Sequence, residues 1–100
     1  VAEVRWTPQA AEDLDAIANR IAEDSPTYAR LFVMDVFTAV DRTARFPQSG
    51  RIVPETQDPS VRETVLGNYR IIYRLKPTTI EVLTIYHGAR LLDPFRLKQE

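Results

Sequence analysis

The run Gly67-Asn68-Tyr69-Arg70-Ile71-Ile72-Tyr73-Arg74-Leu75 constrains this chain more than any other stretch. A two-residue turn signal followed by β-branched and aromatic side chains predicts a hairpin leading into a strand at the centre of a sheet. Side chains alternate along a strand, so Arg70, Ile72 and Arg74 share one face while Tyr69, Ile71, Tyr73 and Leu75 share the other. A central strand needs a neighbour on each side. Residues 61–66 supply one across the Gly67-Asn68 turn, and residues 80–86 supply the other across Lys76-Pro77-Thr78-Thr79.

The short first loop sets Leu66 opposite Tyr69, and therefore Val65 opposite Arg70, Glu63 opposite Ile72 and Val61 opposite Arg74. If Leu75 faces Ile80 across the second turn, Arg74 faces Glu81 and Arg70 faces Ile85. Glu63 is then diagonal to both arginines. Two cross-strand ion pairs are expected, Arg70 with Glu63 and Arg74 with Glu81, each worth under about 1 kcal/mol at an exposed site. The alternative is that the arginines are free to work. The same register carries His87 onto the face of Arg70 and Arg74, with Arg90 just beyond it. A histidine with an ordinary pKa of about 6.5 is eligible for proton transfer, but a lone histidine is more often an ordinary surface or packed residue.

Upstream, Ala2, Val4 and Trp6 alternate with Glu3 and Arg5, the pattern of a half-buried strand. Thr7-Pro8 then supplies an N-cap and a first helical residue that needs no N–H partner. From Pro8 to about Glu23, Ala10, Ala11, Leu14, Ile17, Ala18, Ile21 and Ala22 form one apolar stripe. Ser25-Pro26 repeats the start signal. A second helix to about Arg45 is expected to bury Ala29, Phe32, Val33, Val36, Phe37, Val40 and Ala44, and the short link makes the pair an antiparallel hairpin. Leu31 and Met34 lie off that stripe, either as scattered surface apolarity or as a seat for a partner helix. Residues 51–60 are polar, hold Pro54 and Pro59, and show no period, so they read as a surface connection.

The predicted class is α+β, with element order β-α-α-β-β-β: a helical hairpin packed on a small, mainly antiparallel sheet of four strands. A length of 100 residues is that of one domain. The absence of cysteine excludes disulfides, cysteine-bound zinc and cysteine nucleophiles, and a single histidine argues against a histidine-rich metal site, so no metal or cofactor is expected. No apolar run approaches a membrane span and no leader is legible, which makes the cytoplasm the expected location. Residues 1–50 carry five arginines against eight carboxylates, and residues 51–100 carry eight basic side chains against six. That asymmetry is weak support for an anionic partner.

Taken in order, several strings resemble the ParE/RelE superfamily of bacterial toxins from toxin–antitoxin pairs. They are Trp6-Thr7-Pro8 with Asp13-Leu14 and Ile17, Asp24-Ser25-Pro26, Phe46-Pro47 with Gly50-Arg51, Arg62-Glu63, the run from Gly67 to Arg74, and His87 with Arg90. The resemblance implies a small toxin wrapped by the C-terminal part of a co-expressed antitoxin. RelE-like members are ribosome-dependent mRNA endonucleases, whereas ParE-like members act on DNA gyrase, and the shared fold cannot choose between them.

Nucleases of this superfamily look similar at Arg70 and Arg90, where arginine would stabilise phosphate charge. They also use basic residues on the preceding strand and an aromatic hydroxyl in the tail. Here Val61 and Glu63 take the basic places, and the tail offers Phe95 and Arg96 but no tyrosine. A carboxylate facing the scissile phosphate would repel it. Gly50-Arg51 with Val53-Pro54-Glu55, and Arg62-Glu63, look like ParE-type sequence.

The expectation is therefore a ParE-like toxin that inhibits gyrase by binding, is neutralised by a ParD-like antitoxin, and has no sequence-specific contact with nucleic acid. Tyr73, Arg74, His87 and Arg90 are the candidates for target contact, Leu31 and Met34 for antitoxin contact, and Arg70 for a structural role. On the nuclease alternative, Arg70, His87 and Arg90 would be catalytic. A detoxified antitoxin-binding homologue is a third possibility.

Overall fold

Two capped helix starts organise the first half of the chain. In the computed structural model, which describes residues 1–88, Thr7 accepts a hydrogen bond from the Ala10 N–H at 3.1 Å and Ser25 accepts one from Tyr28 at 3.2 Å. Each cap is followed by proline at the first helical position, and each is worth about 1 kcal/mol. The helices are α1, Pro8–Asp24, and α2, Pro26–Arg45. Strand β1, Glu3–Trp6, precedes them, and a single 3₁₀ turn, Pro47–Ser49, follows. The rest of the sheet is β2 (Arg51–Ile52), β3 (Val61–Leu66), β4 (Tyr69–Leu75) and β5 (Thr79–His87).

The five strands lie in the order β1-β5-β4-β3-β2, antiparallel except for β1 beside β5. The expected α+β architecture is present, with one strand more than expected. The segment from Arg51 is not a plain surface connection: Arg51 and Ile52 pair with Glu63 and Arg62, and Val53 is fully buried. A two-residue strand leaves no periodicity to read. Both helices cover one face of the sheet. Ala10, Leu14 and Ile17 of α1, and Val36, Ala39, Val40 and Ala44 of α2, pack there against Ile71, Tyr73, Ile80, Val82 and Ile85. Phe37, expected in the stripe, is 48% exposed and lies against Trp6, while Ala39 and Thr43 take the buried positions. A smaller core on the opposite face joins Val53, Val61, Ile72 and Leu83.

Between β3 and β4 every expected pair is found, from Leu66 opposite Tyr69 to Val61 opposite Arg74. Gly67 takes φ 57° in the turn, a conformation that glycine adopts without strain. Between β4 and β5 the register starts as expected, with Leu75 opposite Ile80 and Arg74 opposite Glu81, and then slips by one residue. Tyr73 faces Val82 but Ile72 faces Thr84, so Leu83 is a bulged extra residue. Arg70 consequently lies opposite Tyr86 instead of Ile85. Residues from the other end of the chain hold the bulge. The Thr7 hydroxyl donates to the Leu83 carbonyl at 3.0 Å, and the Asp13 carboxylate accepts from the Thr84 hydroxyl and, at 3.2 Å, from the Ile85 N–H.

Tyr73 ties the turn after α2 to the sheet. Its hydroxyl donates to the Pro47 carbonyl at 2.7 Å and accepts from the Gly50 N–H at 3.1 Å. A Cβ on Gly50 would stand 2.3 Å from that hydroxyl and 2.7 Å from the Glu63 carbonyl oxygen, so only glycine fits. Arg62 grips the same turn from β3, donating to the Gln48 and Gly50 carbonyls at 3.1 and 3.0 Å. Burial holds the Tyr73 hydroxyl above its ordinary pKa. A raised pKa means that stability is complete below the unfolded value of about 10 and is lost as pH climbs through the folded one. Tyr73→Phe is expected to cost about 1–3 kcal/mol by leaving the Pro47 and Gly50 groups unsatisfied. Urea unfolding above pH 10 is expected to show a smaller alkaline loss in the variant than in the native chain.

Candidate functional site

Four charged side chains meet on the sheet face away from the helices. Glu63, on β3, is 1% exposed. Arg70, on β4, donates from Nε to Glu63 Oε1 at 2.7 Å, and its Nη2 lies 2.6 Å from the same oxygen. Its two terminal nitrogens also hold Glu55 in a fork, Nη1 to Oε2 at 2.8 Å and Nη2 to Oε1 at 2.9 Å. Arg51 completes the cluster by donating from Nε to the other Glu63 oxygen. Hydrogen bonds donated to Glu55, then to Glu63, keep the Arg70 guanidinium still further above its ordinary pKa despite burial. Planar guanidinium against carboxylate is the geometry that makes such contacts strong.

The expected Arg70–Glu63 pair is therefore present, but buried and part of a larger cluster. Two carboxylates take up the guanidinium edges of Arg70, and the chain from Val53 to Ser60 is fastened across the sheet by Glu55. Arg74 sits opposite Glu81 and reaches Asp58 at 3.8 Å, while Glu81 is bridged by Lys76 at 3.5 Å. Hydrogen bonds from the Ser60 backbone and hydroxyl hold the Asp58 carboxyl below its usual range.

The other candidates are not brought together as expected. Tyr73 is completely buried in the helix-side core, so it belongs to the fold and presents nothing to a target. The bulge turns His87 away from the face of Arg70 and Arg74: it lies opposite Tyr69 and packs edge-on against that ring, with centroids 5.4 Å apart. Tyr69 in turn stacks at a tilt on Phe32 of α2 at 5.1 Å. His87 borders two open cavities at this end of the sheet, one of about 530 Å³ with Asp13, Arg20 and Tyr86, and one of about 280 Å³ with Arg51 and Arg70. Arg90 lies outside the described residues.

Leu31 and Met34 are exposed on α2, at 47% and 63%. They are not isolated. Tyr28, Leu31, Met34 and Phe37 recur every third residue and form an apolar ridge that winds obliquely across the outer side of the helix, with Tyr28 and Phe37 on opposite flanks. Phe37, expected in the buried stripe, joins this ridge instead, and Tyr28 is the member that the stripe pattern does not single out. Beside the ridge, the small side chains Ala18, Ala22 and Ala29 leave a groove of about 360 Å³ between α1 and α2, closed by Val33 and Met34.

The charge cluster carries an asymmetric prediction. Glu63→Ala strips the buried Arg70 of a partner and is expected to cost about 3–5 kcal/mol. Arg51→Ala removes a side chain that is 65% exposed, and is expected to cost under about 1 kcal/mol. Chemical denaturation of both variants beside the native chain checks the difference.

Comparison with known proteins agrees with this architecture. The model of the ParE toxin family, described as the ParE toxin of a type II toxin–antitoxin system, parDE, matches residues 4–92. Y4kP of Sinorhizobium fredii, named as a toxin, is 40% identical over 87 residues, covering 85% of this chain and 86% of its own. Toxin RelE2 of Caulobacter vibrioides is 35% identical over 92 residues, covering 91% and 100%. Among solved structures, the chromosomal ParDE toxin–antitoxin system of P. aeruginosa superposes with a TM-score of 0.71 at 28% identity, covering 86% of this chain and 95% of the other. The RelBE2 complex of Mycobacterium tuberculosis gives 0.57 at 22% identity, with 86% and 96% covered, which speaks for the fold alone. With nearly its whole length matched, the chain belongs to the ParE toxin family of type II toxin–antitoxin systems, within the ParE/RelE superfamily.

Proposed function

We propose that this toxin acts by binding DNA gyrase, without catalysing a reaction itself, and that a ParD-like antitoxin neutralises it. The observation that carries the reading is the state of Arg70. A nuclease of this superfamily would need that guanidinium for the scissile phosphate, and here Glu63 and Glu55 already occupy it. An incoming phosphate would have to displace two carboxylates and then face them. The likeness to a solved ParDE system supports a ParD-like partner.

The antitoxin seat in this reading is the groove between α1 and α2 with the ridge beside it, Leu31 and Met34 included. An amphipathic helix laid there would bury apolar side chains that water now covers. Arg74 and His87 remain the described candidates for target contact.

A second reading rests on the cavity of about 280 Å³ bordered by Arg51, Arg70 and His87. It would make the protein a ribosome-dependent mRNA endonuclease, with His87 as acid or base. Two assays separate the readings. Purified toxin is expected to inhibit gyrase supercoiling at micromolar concentration and to leave ribosome-bound message intact. Message cleavage abolished by His87→Ala would replace the first reading with the second. Unaffected growth on overexpression of the folded chain without antitoxin would overturn both in favour of a detoxified homologue. Separately, Leu31→Glu or Met34→Glu is expected to weaken antitoxin binding about tenfold or more, with the melting temperature nearly unchanged. Titration calorimetry and thermal melts check this, and native affinity in both variants would move the partner elsewhere.

A further inference from the structure

Among the described residues, strand β1 is the outer strand on its side of the sheet. The Glu3 and Thr7 N–H groups donate inward to the Thr78 and Val82 carbonyls, at 2.9 and 3.1 Å. By the alternation of a parallel ladder, the backbone groups of Val4 and Trp6 therefore point outward, away from β5. Among the described residues nothing pairs with the Val4 N–H, the Val4 carbonyl or the Trp6 N–H. Open edges are ready templates for another strand.

The side chains along this edge limit what can pair there. Glu3 and Arg5 are exposed on one face, while Ala2, Val4 and Trp6 are half-buried on the other. For two copies meeting antiparallel about a two-fold axis, outward backbone groups oppose one another when the axis passes through Glu3, Val4 or Arg5. An axis at Glu3 sets glutamate against glutamate, and an axis at Arg5 sets arginine against arginine. An axis at Val4 sets Glu3 of each copy opposite Arg5 of the other, Val4 opposite Val4, and small Ala2 opposite large Trp6. Charge and size both select that register.

We propose that β1 is a self-complementary edge through which two copies of this chain pair about a two-fold axis at Val4, joining their sheets into one. The Val4 residues exchange two backbone hydrogen bonds, and each Trp6 N–H reaches the Ala2 carbonyl of the second copy. The Ala2 N–H is already held by the Ala44 carbonyl at 2.8 Å and takes no part. Trp6, with Phe37 stacked on it at 5.5 Å, forms the apolar side of the contact, and the ion pairs form the other. A four-residue strand buries less than the roughly 800 Å² per partner of a standard interface, so the pairing is a weak one. It is independent of the toxin's target, uses none of the gyrase candidates, and shares only Phe37 with the ridge assigned to the antitoxin.

Charge reversal tests the register. Sedimentation equilibrium of the free toxin, taken from micromolar to millimolar concentration, is expected to show the mass rising from one copy toward two. Glu3→Arg opposes two arginines at both ends of the contact, Arg5→Glu opposes two glutamates, and each is expected to weaken dimerisation at least tenfold. The double variant Glu3→Arg/Arg5→Glu restores opposite charges and is expected to return within about threefold of the native constant. Thermal melts of the four proteins exclude misfolding, since both side chains are exposed. A monomer across the whole range, a dimer that survives both single reversals, or a double variant that stays monomeric while folded would each overturn the proposal.

Discussion

A carboxylate with 1% exposure is the constraint on which the second half of this fold depends. Removing Glu63 from water costs several kcal/mol, and the cost is offset chiefly by the buried Arg70, with the exposed Arg51 adding a second contact from another element. Arg70 is itself buried and needs more than one carboxylate, which Glu55 supplies. Holding Glu55 fixes the path of the chain after β2, and that path drops Val53 onto Val61, Ile72 and Leu83. The small far-side core and the charge cluster are thus held by the same stretch of chain. A buried pair of this kind adds little net stability, while losing one partner strands the other at a large cost.

The bulge in β5 plays the matching part for the first half. An extra residue in a strand leaves backbone groups unpaired, and buried groups of that kind must find partners. Thr7 and Asp13 provide them, one from the end of β1 and one from α1. The same Thr7 caps α1 through its oxygen, so the start of the helix and the kink in the strand are held by one hydroxyl. Turning the end of β5 over then decides which neighbours His87 has. It becomes an extension of the Phe32–Tyr69 aromatic contact.

What was legible in the sequence was local. Caps, prolines, the Gly67-Asn68 turn and the β3–β4 register all follow from residues within a few positions of one another, and each is found as expected. The bulge was not legible, because its stabilising groups lie some seventy residues away from it in the chain. Nor was β2, whose two residues are held by Glu63 and by the close approach that Gly50 permits. Tyr73 is a different case. Alternation had already placed it with Ile71 and Leu75, the face that the helices cover, so its burial was implied by the same pattern that made β4 a strand. A core tyrosine needs partners for its oxygen, and Pro47 and Gly50 are those partners.

The distribution of charge bears on how a surface like this can recognise anything. On the sheet face, Arg51 and Arg70 are engaged by Glu63 and Glu55, Arg74 by Asp58, and Lys76 by Glu81. A polyanion binds by displacing counterions from unpaired cations, and each cation already held by a carboxylate contributes little to that exchange. Affinity for a protein follows a different rule, in which a few apolar or aromatic anchors carry most of the energy while charges set orientation and encounter rate. The ridge from Tyr28 to Phe37 has the anchors, and it lies on the helices, away from the paired charges. This separation lets one small domain keep an ion-paired sheet face and an apolar helix face available at once, so that a partner seated on the helices need not cover the other side.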